Sequence, residues 1–314
     1  MFTEKTVFIL GAGASQPYGF PTGEELLNLI RSGISGDDSL LRGENSFSDF
    51  ANGKQKEALK KLKGSLGTVE GSIDGWLAKD DNEDCREVGR WLIARAIALR
   101  ENRSVLHRNE SGWYGDLWQE LSGSARNIGE VARNNVAFIT FNYDRSLEQT
   151  LFEKAKDLWS KAALRSWTEA VEGLHIIHVH GQIGWLSWQS DKTDREEDVH
   201  EYGGKCEPGW VPVCSRGIVL PMDASGVDGR YQKAKQHLSE AKVIHFMGFG
   251  FNEDNASRLA ANVSLQPDVR LSATVRGLQS RCVKQLESSS NWFGRVFSVR
   301  DLHVRRYWSE VAVG

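Results

Sequence analysis

Four short stretches concentrate the residue types that handle nucleotides and protons. Gly11-Ala12-Gly13-Ala14-Ser15 follows an apolar run and precedes Pro17, Gly19, Pro21 and Gly23. A loop so rich in glycine either lets backbone N–H groups meet a phosphate at a helix start or simply turns tightly. Thr140-Phe141-Asn142-Tyr143-Asp144 places an amide and a carboxylate after a second apolar run. They either cap the helix that starts near Ser146 or orient ligand oxygens, a water and ligand N–H groups. His180-Gly181 closes HVHG. There an imidazole, whose ordinary pKa lies near neutrality, is a packed side chain or a general base. Gly248-Phe249-Gly250-Phe251-Asn252 allows close backbone approach, with Asn252 or Asn255 holding a ribose hydroxyl or capping the next helix.

The elements that must position these groups follow from periodicity. Short apolar runs at Val7–Leu10, Val136–Thr140, His175–Val179, Gly217–Leu220, Val243–Met247 and Val269–Val275 read as strands. Helical spacing appears from Glu24 to Ile30, through Ala58, Leu59 and Leu62, and again from Val88 to Leu99. A single helix is expected from Leu117 through Leu121, Ala125 and Ile128 to Ala132, and others from Leu147 to Leu158, Ala234 to Ala241, Ala256 to Val263 and Ser280 to Ser288. Residues 32–54 read as a loop and 189–209 as a polar surface excursion. Alternating strands and helices predict an α/β, Rossmann-like, doubly wound and mostly parallel sheet. About 100 residues separate the first two strands, far beyond the roughly 30 of a βαβ unit, so a helical insertion is expected over about 32–134 of one domain spanning 1–314. Each of the four stretches then falls at the carboxyl end of a strand, where open parallel sheets bind ligands.

Composition narrows the classes. A net charge of −3 argues against a general grip on nucleic acid, though not against a local basic patch. No apolar stretch approaches the roughly 20 residues of a membrane span. Cys85, Cys206, Cys214 and Cys282 lack paired spacing and read as reduced thiols, which with no leader at Met1 points to the cytoplasm. The 11 tryptophans fill helix contacts or a subunit interface. His178 falls two residues before His180 on one strand face, a conceivable metal pair, yet no carboxylate or thiol partner is evident and no metal is expected. The first loop is a poor dehydrogenase fingerprint: Gln16 occupies the third glycine position of GxGxxG, and no acidic residue beside a second strand follows about 20 residues on.

Taken in order, GAGAS with YGFP, TFNYD, HVHG and GFGFNEDN resemble the sirtuin superfamily, and more closely the bacterial sirtuin-like NAD-hydrolysing domains of anti-phage defence systems. Ser72-Ile73-Asp74 and the Trp113-Tyr114 pair also fit that group. The resemblance runs over about 5–265 and rests on four short motifs. It implies NAD as the bound substrate, with Gly11, Ala12, Gly13 and Ser15 at its pyrophosphate and Thr140, Gly248, Gly250 and Asn252 completing the binding site. It further implies that Asp144 orients the nicotinamide carboxamide, that Asn142 positions the ribose or the attacking water, and that His180 accepts the proton. The expected activity is NAD+ glycohydrolysis to nicotinamide and ADP-ribose, used to deplete NAD in abortive infection. A toxic activity needs restraint, for which the helical insertion and the tryptophans could serve a homo-oligomer or a regulatory partner, and the resemblance implies a trigger such as an ATPase, an Argonaute-type protein or a phage component.

Three departures separate the chain from protein-deacylating sirtuins. Cys206 and Cys214 have seven residues between them and no second pair, so the structural zinc module looks absent. The place of the usual F-G-E segment reads Val219-Leu220-Pro221-Met222, and Phe141 replaces the usual glutamine. Two other classes stay open: an NAD-dependent transferase, acting as a protein deacylase or an ADP-ribosyltransferase, and a non-catalytic NAD or ADP-ribose sensor.

Overall fold

The computed structural model describes residues 1–35, 40–42, 47–69, 71–108, 112–204, 208–221 and 224–312. Cys206 and Met222 lie outside them. The sheet strands are β1 (Thr6–Leu10), β2 (Val136–Thr140), β3 (Ile176–His178), β6 (Val243–Met247), β7 (Arg270–Thr274) and β8 (Ser298–Arg300). A separate two-stranded ribbon joins β4 (Trp185–Leu186) to β5 (Val199–His200). The six sheet strands run in the order β3-β2-β1-β6-β7-β8, every pair parallel. This is the Rossmann-like α/β order, in which the chain works outward from β1 to one side and then to the other. The switch point therefore lies between β1 and β6.

Both faces of β1 are apolar because both are covered. Phe8 and Leu10 pack into a core shared with the helices that follow, and Val7 and Ile9 into a second core with Ala234, Leu238 and Phe246. Between β1 and β2 the chain is helical as expected, with helices Gly23–Ser35, Gly53–Ser65, Glu83–Ala98 and Tyr114–Ser122 carrying most of the packing. Their buried faces match the helical spacing, including Ala58, Leu59, Leu62, Val88, Trp91 and Leu92. None of the tryptophans is exposed, and Trp91, Trp113, Trp118, Trp188 and Trp308 are buried. Helix and sheet contacts account for these five rings.

Several boundaries differ from the expectation. The 32–54 segment is not all loop: the first long helix continues to Ser35, and Phe47–Phe50 forms one turn. Asn52 then starts the next helix with a capping box, accepting from Gln55 N while Gln55 Oε1 accepts from its own N–H. The helix from Leu117 stops at Ser122, before Gly123, and resumes at Ile128–Val131. Glycine weakens a helix, and apolar spacing persists across the break because both pieces face one core. Helix Leu164–Glu172 has no counterpart in the expected elements. Gly217–Leu220 is no strand: only Ile218 bridges, antiparallel, to Gly181. The 189–209 excursion includes the ribbon strand β5 and short 3-10 turns. β8 is a sixth strand that three residues were too few to announce. Tyr307 and Trp308 of the tail are buried, Tyr307 Oη donating to Ser272 Oγ at 2.6 Å.

Candidate functional site

The loops after β1 and β6 pack directly on one another. Gly13 N donates to Gly248 O at 3.1 Å, Gly11 N to Met247 O at 3.1 Å, and Ala14 N to Gly11 O at 2.9 Å. A Cβ on Gly11 would stand 2.5 Å from Gly248 O, and one on Gly248 would stand 2.2 Å from Ala14 N. Gly248 also has φ +59°, a conformation that disfavours side chains. Gly11, Gly13 and Gly248 are thus required by backbone approach between two loops of the protein itself. Gly250 differs, since a Cβ there meets nothing within 4 Å among the described residues. Phe251 has φ +48° and is buried among Phe246, Phe249 and Phe297. A bulky residue in that region is strained and is held there by its packing.

Asn142, just beyond β2, ties this junction to its neighbour. Its Nδ2 donates to Gly11 O at 3.0 Å and to Ser15 Oγ at 2.9 Å. Gly11 O can only accept, which fixes the amide's orientation. The opposite atom, Oδ1, is buried with no hydrogen-bond partner among the described residues. Such an acceptor is costly to leave unpaired and fits a donor such as a ribose hydroxyl. Thr140 Oγ1 accepts from Asn142 N at 3.1 Å and so shapes the turn.

Asp144 and Asn252 each serve a helix start. Asp144 Oδ1 accepts from Ser146 N at 3.1 Å and from the Ser146 hydroxyl, at the start of helix Ser146–Leu158. Burial lifts its carboxyl above the usual range, and hydrogen bonds from Ser146 and Ser15 oppose that rise. Asn252 Oδ1 accepts from Asp254 N at 3.0 Å and from Asn255 N at 3.4 Å, capping Glu253–Ala260. Ser15 thus touches both Asn142 and Asp144, which brings the ends of β1 and β2 into one polar cluster.

His180 stands apart from that cluster. It is 1 % exposed. Its ring lies edge-on to Phe141 at 5.3 Å, and its Nε2 is 3.2 Å from Tyr231 Oη. Asp74 Oδ2 lies 3.9 Å from Nδ1, too far for a hydrogen bond yet close enough to favour an imidazolium once it forms. Burial drives the His180 pKa down to about 4, with Asp74 opposing and Arg258 and Arg230 assisting. At neutral pH the ring is therefore uncharged and able to accept a proton. Asp74, on the short helix Ile73–Leu77 of the insertion, and Tyr231, on helix Ala224–Glu240, have no role assigned by the sequence motifs. For Asp74 the only signal was its place in Ser72-Ile73-Asp74.

His178 does not pair with His180. β3 ends at His178 and the backbone turns, Gly181 N donating to His178 O at 3.1 Å, so strand alternation does not carry through. The His178 ring sits between Asn142 O and Glu148 Oε1, each at 2.9 Å. Burial opposes its charge, but Glu148 and the Asn142 carbonyl outweigh burial and raise its pKa. Among the described residues no three His, Cys, Asp or Glu groups cluster to hold a metal.

Residues 136–269 match the family model of the SIR2-like domain. Over that stretch the chain is similar to SIR2-like domains. No curated protein matches it. The matched region runs from the first residue of β2 to the residue before β7, and so contains Asn142, Asp144, His180, Tyr231 and the Gly248 loop. The match to the SIR2-like domain supports an NAD-related function in general and implies NAD binding. The Gly11 loop and Asp74 come from outside the matched region, and the sheet order and the insertion bring them to it. No helix among the described residues is long and apolar enough to cross a membrane.

Proposed function

We propose that the chain is an NAD+ glycohydrolase that releases nicotinamide and ADP-ribose. The observation that carries this reading is Asn142. Its amide is locked to the Gly11 loop by two donated bonds while its buried Oδ1 has no partner among the described residues. An acceptor fixed beside a glycine turn at a switch point suits a ribose held below its pyrophosphate. Cleavage of the nicotinamide–ribose bond passes through an oxocarbenium-like state, since the leaving group is already cationic.

This chain's residues then have three tasks. Gly11, Ala12, Gly13 and Ser15 shape the pyrophosphate turn, with Thr140, Gly248, Gly250 and Asn252 around it. Asn142 fixes the ribose or the attacking water, and Asp144, braced by Ser146, orients the carboxamide. His180, neutral and sealed by Phe141 and Tyr231, takes the proton, with Asp74 stabilising the resulting charge. Phe141 beside the imidazole forms an apolar wall there. By resemblance the activity serves to deplete NAD on phage infection, within a homo-oligomer restrained by a partner.

The test is NAD loss by the purified chain beside His180→Ala and Asn142→Ala. Nicotinamide and ADP-ribose formed by the wild type alone support the reading. Equal turnover in all three sinks the site, turnover only with an acyl-lysine peptide or another acceptor makes the chain a transferase, and NAD binding without turnover makes it a sensor.

A further inference from the structure

A cavity of ≈ 710 Å³ lies away from the loop junction, along the open edge of β3. That is the size of a small-molecule site and far more than a single ion needs. One wall comes from helix Ser146–Leu158 and the ribbon strand β4, the other from helix Ala224–Glu240.

Its charges do not balance. Three acids line it, and each already faces a base: Glu148 with His178 at 2.9 Å, Glu172 with Lys192 at 2.6 Å, and Asp198 with Arg216 at 3.4 Å. Two further cations line the opposite wall, Arg230 and Lys233, three residues apart on one helix. Neither has an ion-pair partner among the described residues, and Arg230 Nη1 is buried with no hydrogen bond there. Burial alone weakens Arg230's hold on its proton, the mark of a charge kept without compensation. The acid wall adds one more open valence, Glu148 Oε2, a buried acceptor with no partner among the described residues. Trp185 and Trp188 give the same cavity flat apolar surface.

The geometry points to a second binding site along β3 for a phosphate-bearing aromatic small molecule, a nucleoside monophosphate in size and charge. Arg230 and Lys233 take the phosphate, the indoles offer stacking surface, and Glu148 Oε2 accepts from a hydroxyl or ring N–H. The site is separate from the Asn142 junction. It still reaches His180 through Gly181, whose Cβ position lies 3.5 Å from Arg230 Nη1.

Calorimetry on the full chain with AMP, adenosine and inorganic phosphate tests this. AMP is expected to bind, more weakly as salt rises, with adenosine and phosphate each weaker by at least about tenfold. Arg230→Gln with Lys233→Gln should weaken AMP by tenfold or more, and Asn142→Ala should leave it unchanged. Lys233 is exposed, so Lys233→Gln alone keeps the fold and should weaken AMP by about threefold. No AMP binding at millimolar concentration overturns the proposal. So does equal binding by the cation variants, or loss in Asn142→Ala alone, which would place AMP at the junction.

Discussion

Around Gly11 and Gly248 the chain closes on itself. Backbone meets backbone, three N–H groups already have carbonyl partners, and the space a side chain would need is filled. Along β3 it does the reverse, leaving an edge strand beside a large cavity with two cations, Arg230 and Lys233, that have no ion-pair partner among the described residues. The junction has glycines because nothing else fits, and the cavity has charges because solvent or a ligand reaches them. Glycine richness therefore marks close approach between two parts of the protein, and a ligand contact has to be argued from a group such as Asn142 Oδ1, which has no partner among the described residues.

The largest effect is expected where the cavity is roofed. Arg145, fully buried, is bonded to Glu101 at 2.7 Å and donates to the carbonyls of Trp185 and His200 in β4 and β5. Glu101→Ala strands that charge and should cost about 3–5 kcal/mol in a urea melt. A loss under 1 kcal/mol would mean that the ribbon is not fastened there.

At the junction, Gly248→Ala puts a Cβ against backbone at a left-handed position and should cost about 3 kcal/mol. Gly250→Ala, two residues away with open space, should stay within about 0.5 kcal/mol. Equal losses by thermal melt would show that the loop, not the close approach, sets the requirement.

Between the two regions, His178 and His180 should titrate in opposite senses. His180 has a folded pKa of about 4 against an ordinary 6.5. Between those values the unfolded chain takes a proton that the folded chain refuses, so stability falls as pH drops through that window. His178 is raised, so its contribution is full below about 6.5 and is lost as pH rises through its folded value. Melts against pH should lose the acid-side slope in His180→Gln and the alkaline-side slope in His178→Gln. The same values predict that NAD turnover holds from about pH 8 to 5 and drops toward 4. A fall centred near 6.5 would remove His180 as the base.

The strands β1, β2 and β6 were legible because each is an uninterrupted apolar run, as a strand buried on both faces must be. Asn142 and His180 were legible for a related reason: polar residues that directly follow such runs stand at the sheet's carboxyl edge. β8 was not, since three residues carry no period, and neither was the break at Gly123, since both flanking helices feed one core. His178 was misplaced beside His180 because alternation was extended past the end of the strand. The sequence alone determined the alternation of elements, the four motif loops and the position of the insertion, all set by local pattern and chain order. Only the tertiary structure decided that Asp74 and Tyr231 meet His180, that the glycines face each other, and that Arg230 and Lys233 line one cavity with no ion-pair partner among the described residues. These are contacts between segments far apart in sequence, and no local periodicity encodes which side chain a distant charge will face.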